Sequence, residues 1–114
     1  MPLNNQRVES ASSKLLATSG ILQMVAAPGA GKFIRVIEVQ WISITASATV
    51  TVVSDGSGGA VLFEFPVSLA AGNNGRMNFG DGRDLTENTA LMADPTAAGP
   101  EISFVTLYQI VTFK

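Results

Sequence analysis

The sequence predicts an all-β chain: an antiparallel β-sandwich, jelly-roll-like, of about eight strands. Three observations predict it. Runs rich in Val, Ile, Thr and Phe recur at roughly 8–14-residue spacing, bounded by clusters of Gly, Pro, Asn and Asp. Several runs alternate in side-chain character, as a strand with one buried face must. No convincing helix competes, because Ser12–Ala17 is too short and too poor in capping signals. A chain of 114 residues supports one core. Two sheets that each bury one face are the natural way to build it from strands alone.

Taken in order, Met1–Ser13 reads as a polar N-terminal arm, and residues 14–114 as a single sandwich domain. Lys14–Thr18 and Gly20–Ala26 are short strands, and Ala27-Pro-Gly-Ala-Gly31 is a turn. Lys32–Thr45 is the strongest strand. Ala48–Ser54 alternates, with Ala48, Val50 and Val52 on one face and Thr49 and Thr51 on the other. Asp55-Gly-Ser-Gly-Gly59 turns into Ala60–Phe65, where Val61, Phe63 and Phe65 point inward and Glu64 outward. Pro66 has no N–H to donate and ends that ladder. Ala71–Gly75 is a turn, Arg76–Phe79 a short strand and Gly80–Asp84 a loop. Thr89–Ala93 is strand-like, Asp94–Pro100 a loop, and Glu101–Phe113 a long final strand.

Two strands are apolar on both sides. In Phe33–Thr45, Ile34 and Val36 share one face, Ile37, Val39 and Trp41 the other, and Ile42 and Ile44 return to the first. In Ile102–Phe113 one face carries Ile102, Phe104, Tyr108 and Ile110, the other Val105, Leu107, Val111 and Phe113. A β-bulge that swaps the phase is one explanation. Packing of the second face on a neighbouring subunit is the other. One shared interface is more economical than two separate bulges, so the reading leans to a homo-oligomer. Its contact residues would be Ile37, Val39, Trp41, Val105 and Leu107.

Composition restricts function. Charged residues are 14% and apolar ones 46%, against about 25% charged in an ordinary soluble domain. A surface rich in small polar residues, or one covered by partner subunits, accounts for that shortage. The net charge is −2 and the seven basic residues are scattered, so no phosphate-backbone footprint is present and nucleic acid is not expected as a partner. No apolar run approaches a membrane span, and the polar N-terminus lacks a signal-peptide core. The expectation is a soluble product of the cytoplasm, with no membrane partner.

Catalysis is expected to be absent. There is no Cys, hence no thiolate metal site or cysteine nucleophile, and no His, the commonest general base. Asp81, Asp84 and Glu87 fall in one segment but miss the calcium-loop pattern, and Arg83 sits among them. Ala27–Lys32 superficially matches the end of a phosphate-binding loop, yet a strand rather than a helix follows. Trp41, Phe63, Phe65 and Tyr108 could form a sugar-stacking platform, but aromatic residues in a β core more often pack: Phe63 and Phe65, which share an inward face, read as core, and Tyr108 fits either role. No cofactor or metal is expected.

The stretch Leu22–Val39, with its A-P-G-x-G-K turn before a long strand, resembles small jelly-roll structural proteins of tailed bacteriophages. The resemblance continues through Ala48-Thr-Val-Thr-Val-Val, the Asp55–Gly59 turn, Phe65-Pro-Val-Ser-Leu-Ala-Ala-Gly72 and Arg76-Met-Asn-Phe79, covering about residues 20 to 113 in order of elements. It implies a jelly-roll sandwich, commonly trimeric, on the virion as a capsid decoration (cement) protein or in a head or tail fibre. It implies no catalytic residues. The partners implied are further copies of the chain and the major capsid protein or another virion protein. The arm, through Leu3, Asn4, Asn5 and Arg7, would dock on a neighbouring protein. The alternative is a fibre or host-recognition module whose Asn73–Gly75 and Asp81–Glu87 loops hold a surface glycan. A cellular carbohydrate-binding domain is the third reading.

Overall fold

A computed structural model describes residues 7–16, 21–45, 50–66, 74–95 and 101–113. They form β1 Glu9–Leu15, β2 Leu22–Val25, β3 Lys32–Thr45, β4 Val50–Asp55, β5 Val61–Pro66, β6 Asn74–Asp84, β7 Leu91–Asp94 and β8 Glu101–Thr112. Sheet A has the order β1-β8-β3-β6 and sheet B the order β2-β7-β4-β5. Every pairing is antiparallel. β1 pairs with β8, β2 with β7, β3 with β6 and β4 with β5. The chain is therefore one long hairpin, folded at the β4–β5 turn and rolled until β8 also meets β3 and β7 meets β4. That is jelly-roll connectivity. β3 alone, at about 3.3 Å per residue, accounts for the longest dimension of 48 Å.

The core lies between the sheets. Sheet A contributes Leu15, Ile34, Val36, Val39, Ile102 and Phe104, and sheet B contributes Val53, Phe63, Phe65, Leu91 and Ala93. Trp41 stacks on Phe65 at 4.3 Å between ring centres, and Phe65 meets Phe104 edge-on at 6.2 Å. Gly75 of β6 lies opposite Trp41. With no side chain there, the indole covers the backbone of this edge strand.

Three features differ from the sequence expectation, and a further one, the buried face of β4, is left open by it. β1 begins at Glu9, so residues 9–13, expected to belong to the arm, are strand. Their serines disguise an edge strand that turns Ala11, Ser13 and Leu15 inward and Ser10, Ser12 and Lys14 outward. β6 runs on through the expected Gly80–Asp84 loop, because Gly80 and Gly82 take φ values of 67° and 118° that let the ladder bend and continue. In β4 the hydroxyl side is buried: Thr51 and Val53 face Phe65 and Phe63, while Val50 and Val52 point outward. Finally, the β4–β5 register shifts between Val53 and Ser54, and Val61, expected inward, is 50% exposed.

β3 resolves its own two-sided pattern. Its register with both neighbours shifts between Val36 and Glu38: against β8, where Val36 pairs with Tyr108 and Glu38 with Leu107, Ile37 is an extra residue, whereas against β6 the extra residues are 79–82 of β6 itself. The inward set is Ile34 and Val36 before the bulge, then Val39, Trp41 and Ser43 after it. Val39, expected to contact a neighbouring subunit, is instead fully buried inside this chain, while Trp41, expected to do the same, is half-buried and joins the aromatic stack. Ile42 and Ile44, expected beside Ile34, face solvent. One extra residue in a period-two element exchanges its faces.

Candidate functional site

The outer face of sheet A is the surface that the sequence singled out in part. Register sets its side chains in three rows across the four strands. These are Lys14–Ser103–Ile42–Asn74, Ser12–Val105–Gln40–Arg76 and Ser10–Leu107–Glu38–Asn78. Val105 is 37% and Ile42 45% exposed, while Leu107 is half-buried. Ile37 is half-buried next to Arg35 and over Gly82. Val105 forms a ridge between two open grooves. One, of about 560 Å³, is lined by Gln40, Trp41, Ile42, Asn74, Arg76 and Val105 among others. The other, of about 480 Å³, lies over Ser12, Lys14 and Ser103. Short serine side chains on β1 leave that flank of the ridge bare. Of the five expected contact residues, Val105, Leu107 and Ile37 lie outside the core; of the four arm residues, Leu3, Asn4 and Asn5 lie outside the described residues and Arg7 is exposed.

Glu38 is the buried charge of this face. Gln40 Nε2 donates to its carboxylate at 2.6 Å and Asn78 Nδ2 at 2.8 Å, with Arg76 3.9 Å away. The Gln40 and Asn78 hydrogen bonds hold the carboxyl below its ordinary value, assisted by Arg76 and opposed by desolvation. A depressed folded-state value contributes stability above the unfolded value near 4.5, and that contribution disappears as pH falls through the folded value. Urea unfolding of Glu38→Gln should show a deficit at neutral pH that closes below about pH 4.5. A deficit independent of pH would refute this account.

The other sequence candidates have structural roles. The Ala27–Lys32 turn does present N–H groups, but the chain's own side chains accept them: Gly29 donates to Asn88 Oδ1 at 2.9 Å and Gly31 to Glu87 Oε2 at 2.7 Å. Asp84 forms a two-pronged pair with Arg35 at 2.7 and 3.3 Å. Among the described residues no three acidic side chains gather as a metal site. Phe63 and Phe65 are core, and Tyr108 packs against it. Ile42 and Ile44 were misplaced by simple alternation. The available signal was the Gly80-Asp-Gly82 segment, since paired glycines inside a strand mark a bulge.

No protein-family model matches the chain, and no curated protein matches it. Among solved structures it is similar to a chain of the acidic-stable capsid structure of Helicobacter pylori bacteriophage KHP30. That match has a TM-score of 0.65 at 16% identity, covering 94% of this chain and 93% of that one. It also aligns with a chain of the cyanophage Pam1 capsid asymmetric unit, with TM-score 0.49, 15% identity, and 92% and 84% covered. A chain of the disulfide-linked pili of Bacillus endospore appendages gives 0.46, 12%, 97% and 93%. The first likeness extends over nearly the whole of both chains, and what it shows is a shared two-sheet antiparallel sandwich fold.

Proposed function

We propose that the chain is a non-enzymatic structural subunit of a phage virion, a capsid decoration or cement protein that binds the major capsid protein as a homo-oligomer, a trimer. The observation that carries this reading is the full-length likeness to a chain of a phage capsid structure. The molecule's own surface supports it. Half-exposed aliphatic side chains stand on flat sheet faces, and the chain is poor in charge, as a protein covered by partners can be. Attachment through several weak contacts made together suits an oligomer whose arms, through Leu3, Asn4, Asn5 and Arg7, engage the lattice.

Light scattering on the purified protein, followed by co-sedimentation of full-length and arm-deleted forms with candidate phage heads, tests the proposal. Oligomers should sediment with heads, and removal of residues 1–8 should weaken that binding while leaving β1 intact. Protein that stays in the supernatant with every head tested, or that binds a glycan array with the arm removed, would sink the decoration reading.

A further inference from the structure

In an antiparallel ladder, successive residues turn their N–H and C=O groups to opposite sides. On β8 the odd-numbered residues face β3: Phe113 N–H donates to the Gly31 carbonyl at 2.8 Å and Glu101 N–H to Thr45 Oγ1 at 3.0 Å. Ile102, Phe104, Thr106 and Tyr108 therefore face β1, where the register pairs them with Leu15, Ser13, Ala11 and Glu9. The N–H and C=O groups of Ser10, Ser12 and Lys14 are left pointing away from β8, along an edge where no further strand follows among the described residues.

Sheet edges normally carry a device that hinders strand addition. Among the described residues three of the four edge strands have one. β2 is four residues long with a register shift, and β5 ends at Pro66. β6 is interrupted by its extra residues 79–82, with Gly80 and Gly82 at positive φ. β1 has no such device. Its seven residues pair with β8 without a shift and include no Gly or Pro, and its outward charge, Lys14, is engaged by Glu101 at 2.9 Å.

We propose that β1 pairs antiparallel with β1 of a second copy about a twofold axis at Ser12, joining two four-stranded copies of sheet A into one continuous sheet. The occupant is a second copy because β1 matches itself. With Ser12 opposite Ser12 of the second copy, Ser10 lies opposite Lys14, so every residue with edge-facing backbone groups meets another. Glu9 falls opposite Leu15, and no like charges face each other. On the outer face, the two grooves over Ser12 and Lys14 merge into one serine-floored trough between the Val105 ridges of the two copies. A twofold contact cannot close a ring of three, so this contact is separate from the trimer's and links one oligomer to the next.

The chain has no Cys, so a single introduced thiol can cross-link only between copies. The Cα atoms of a hydrogen-bonded antiparallel pair lie about 5.5 Å apart, a span that a disulfide bridges. Under mild oxidation at the highest soluble concentration, Ser12→Cys should give a species of twice the 11.9 kDa protomer mass. It should form at least tenfold faster than with Ser57→Cys, an exposed position in the β4–β5 turn. Ser10→Cys and Lys14→Cys should cross-link with each other when mixed, and at least tenfold more slowly when each is alone. Adding Ser10→Pro to Ser12→Cys should cut the rate at least tenfold. That proline removes an N–H that β8 does not use, and continued exchange protection of the Ala11 and Ser13 amides would show β1 still in place. Cross-linking of Ser12→Cys no faster than Ser57→Cys would overturn the contact, and Ser10→Cys linking to itself as fast as Ser12→Cys would overturn its register. Protection of the Ser10, Ser12 and Lys14 amides that appears only when heads are added would give the edge to a capsid strand and overturn pairing with a second copy. Co-sedimentation with heads reports separately on the virion reading, which survives each of these results.

Discussion

Replacing Trp41, half-buried but stacked on two core aromatic rings, by alanine should cost about 3–5 kcal/mol of folding stability, the range for truncating a large aromatic side chain that packs into a core. In a domain of this size that is a fall in melting temperature of roughly 12–20 °C. The reason is its place in the aromatic stack. Its ring lies 4.3 Å from Phe65 and 5.6 Å from Phe63, and both of those residues sit on β5 across the sandwich. Trp41 thus bridges the two sheets near their β6 and β5 edges, where no further strand follows among the described residues. It also covers Gly75, where an added Cβ would come within 2.6 Å of Trp41 Cζ2. The loss should be the same in dilute and concentrated protein, because the aromatic rings that Trp41 stacks on, Phe63 and Phe65, belong to the same chain. A loss below about 1 kcal/mol, or one that appears only where oligomers form, would return Trp41 to a subunit interface.

Gly59→Ala is the second large effect, and its origin is backbone geometry rather than packing. An added Cβ would lie 1.8 Å from the Asp55 carbonyl oxygen and 2.9 Å from its carbon. A rotamer change relieves neither contact, so the turn itself must open. That turn is closed by Asp55 N–H donating to the Ala60 carbonyl at 2.8 Å and Gly59 N–H to the Gly56 carbonyl at 3.1 Å. Asp55 also receives the N–H and hydroxyl of Thr86, so displacement travels into the segment that follows β6. Strain of about 1–3 kcal/mol plus one lost turn hydrogen bond of about 1 kcal/mol gives an expected loss of roughly 2–4 kcal/mol. Gly58→Ala is the comparison. Its φ of +74° imposes left-handed strain of about 1–2 kcal/mol, but the added Cβ meets nothing within 4 Å. Denaturant unfolding should rank Gly59→Ala well below Gly58→Ala. Equal losses would show that the turn reopens freely and that its backbone closure is not what holds β4 to β5.

Much of the fold was legible because its determinants are local. β3 was delimited as Lys32–Thr45 by the glycine turn before it and by its own β-branched run. Phe63 and Phe65 inward with Glu64 outward followed from alternation alone. β1 was partly missed because an edge strand keeps polar side chains on its exposed side, so Glu9–Ser13 looks like arm. β4 was legible only as an alternation; which face is buried was not, and pairing with Phe63 and Phe65 turns Thr51 and Val53 into the core and leaves Val50 exposed.

The candidate site was half legible for the same reason. Val105 and Leu107 belong to β8, whose alternation runs unbroken from Ile102 to Thr106, and they fall outside the core as expected. Val39, Trp41, Ile42 and Ile44 follow the β3 bulge and are exchanged between faces.

By itself the sequence determined the strand class, the jelly-roll-like sandwich, the positions of its principal turns, and a chain without His or Cys. Those depend on composition, period and turn chemistry, each readable within about ten residues. Only the tertiary structure decided which side chains the outer faces carry. The deciding event is the slip between Val36 and Glu38, which pair with Tyr108 and Leu107 of β8 about seventy positions later in the chain, at the same place where Gly80 and Gly82 bend the β6 ladder on the other side. Period two makes every side chain beyond such a slip depend on it, and a slip is a property of two strands together.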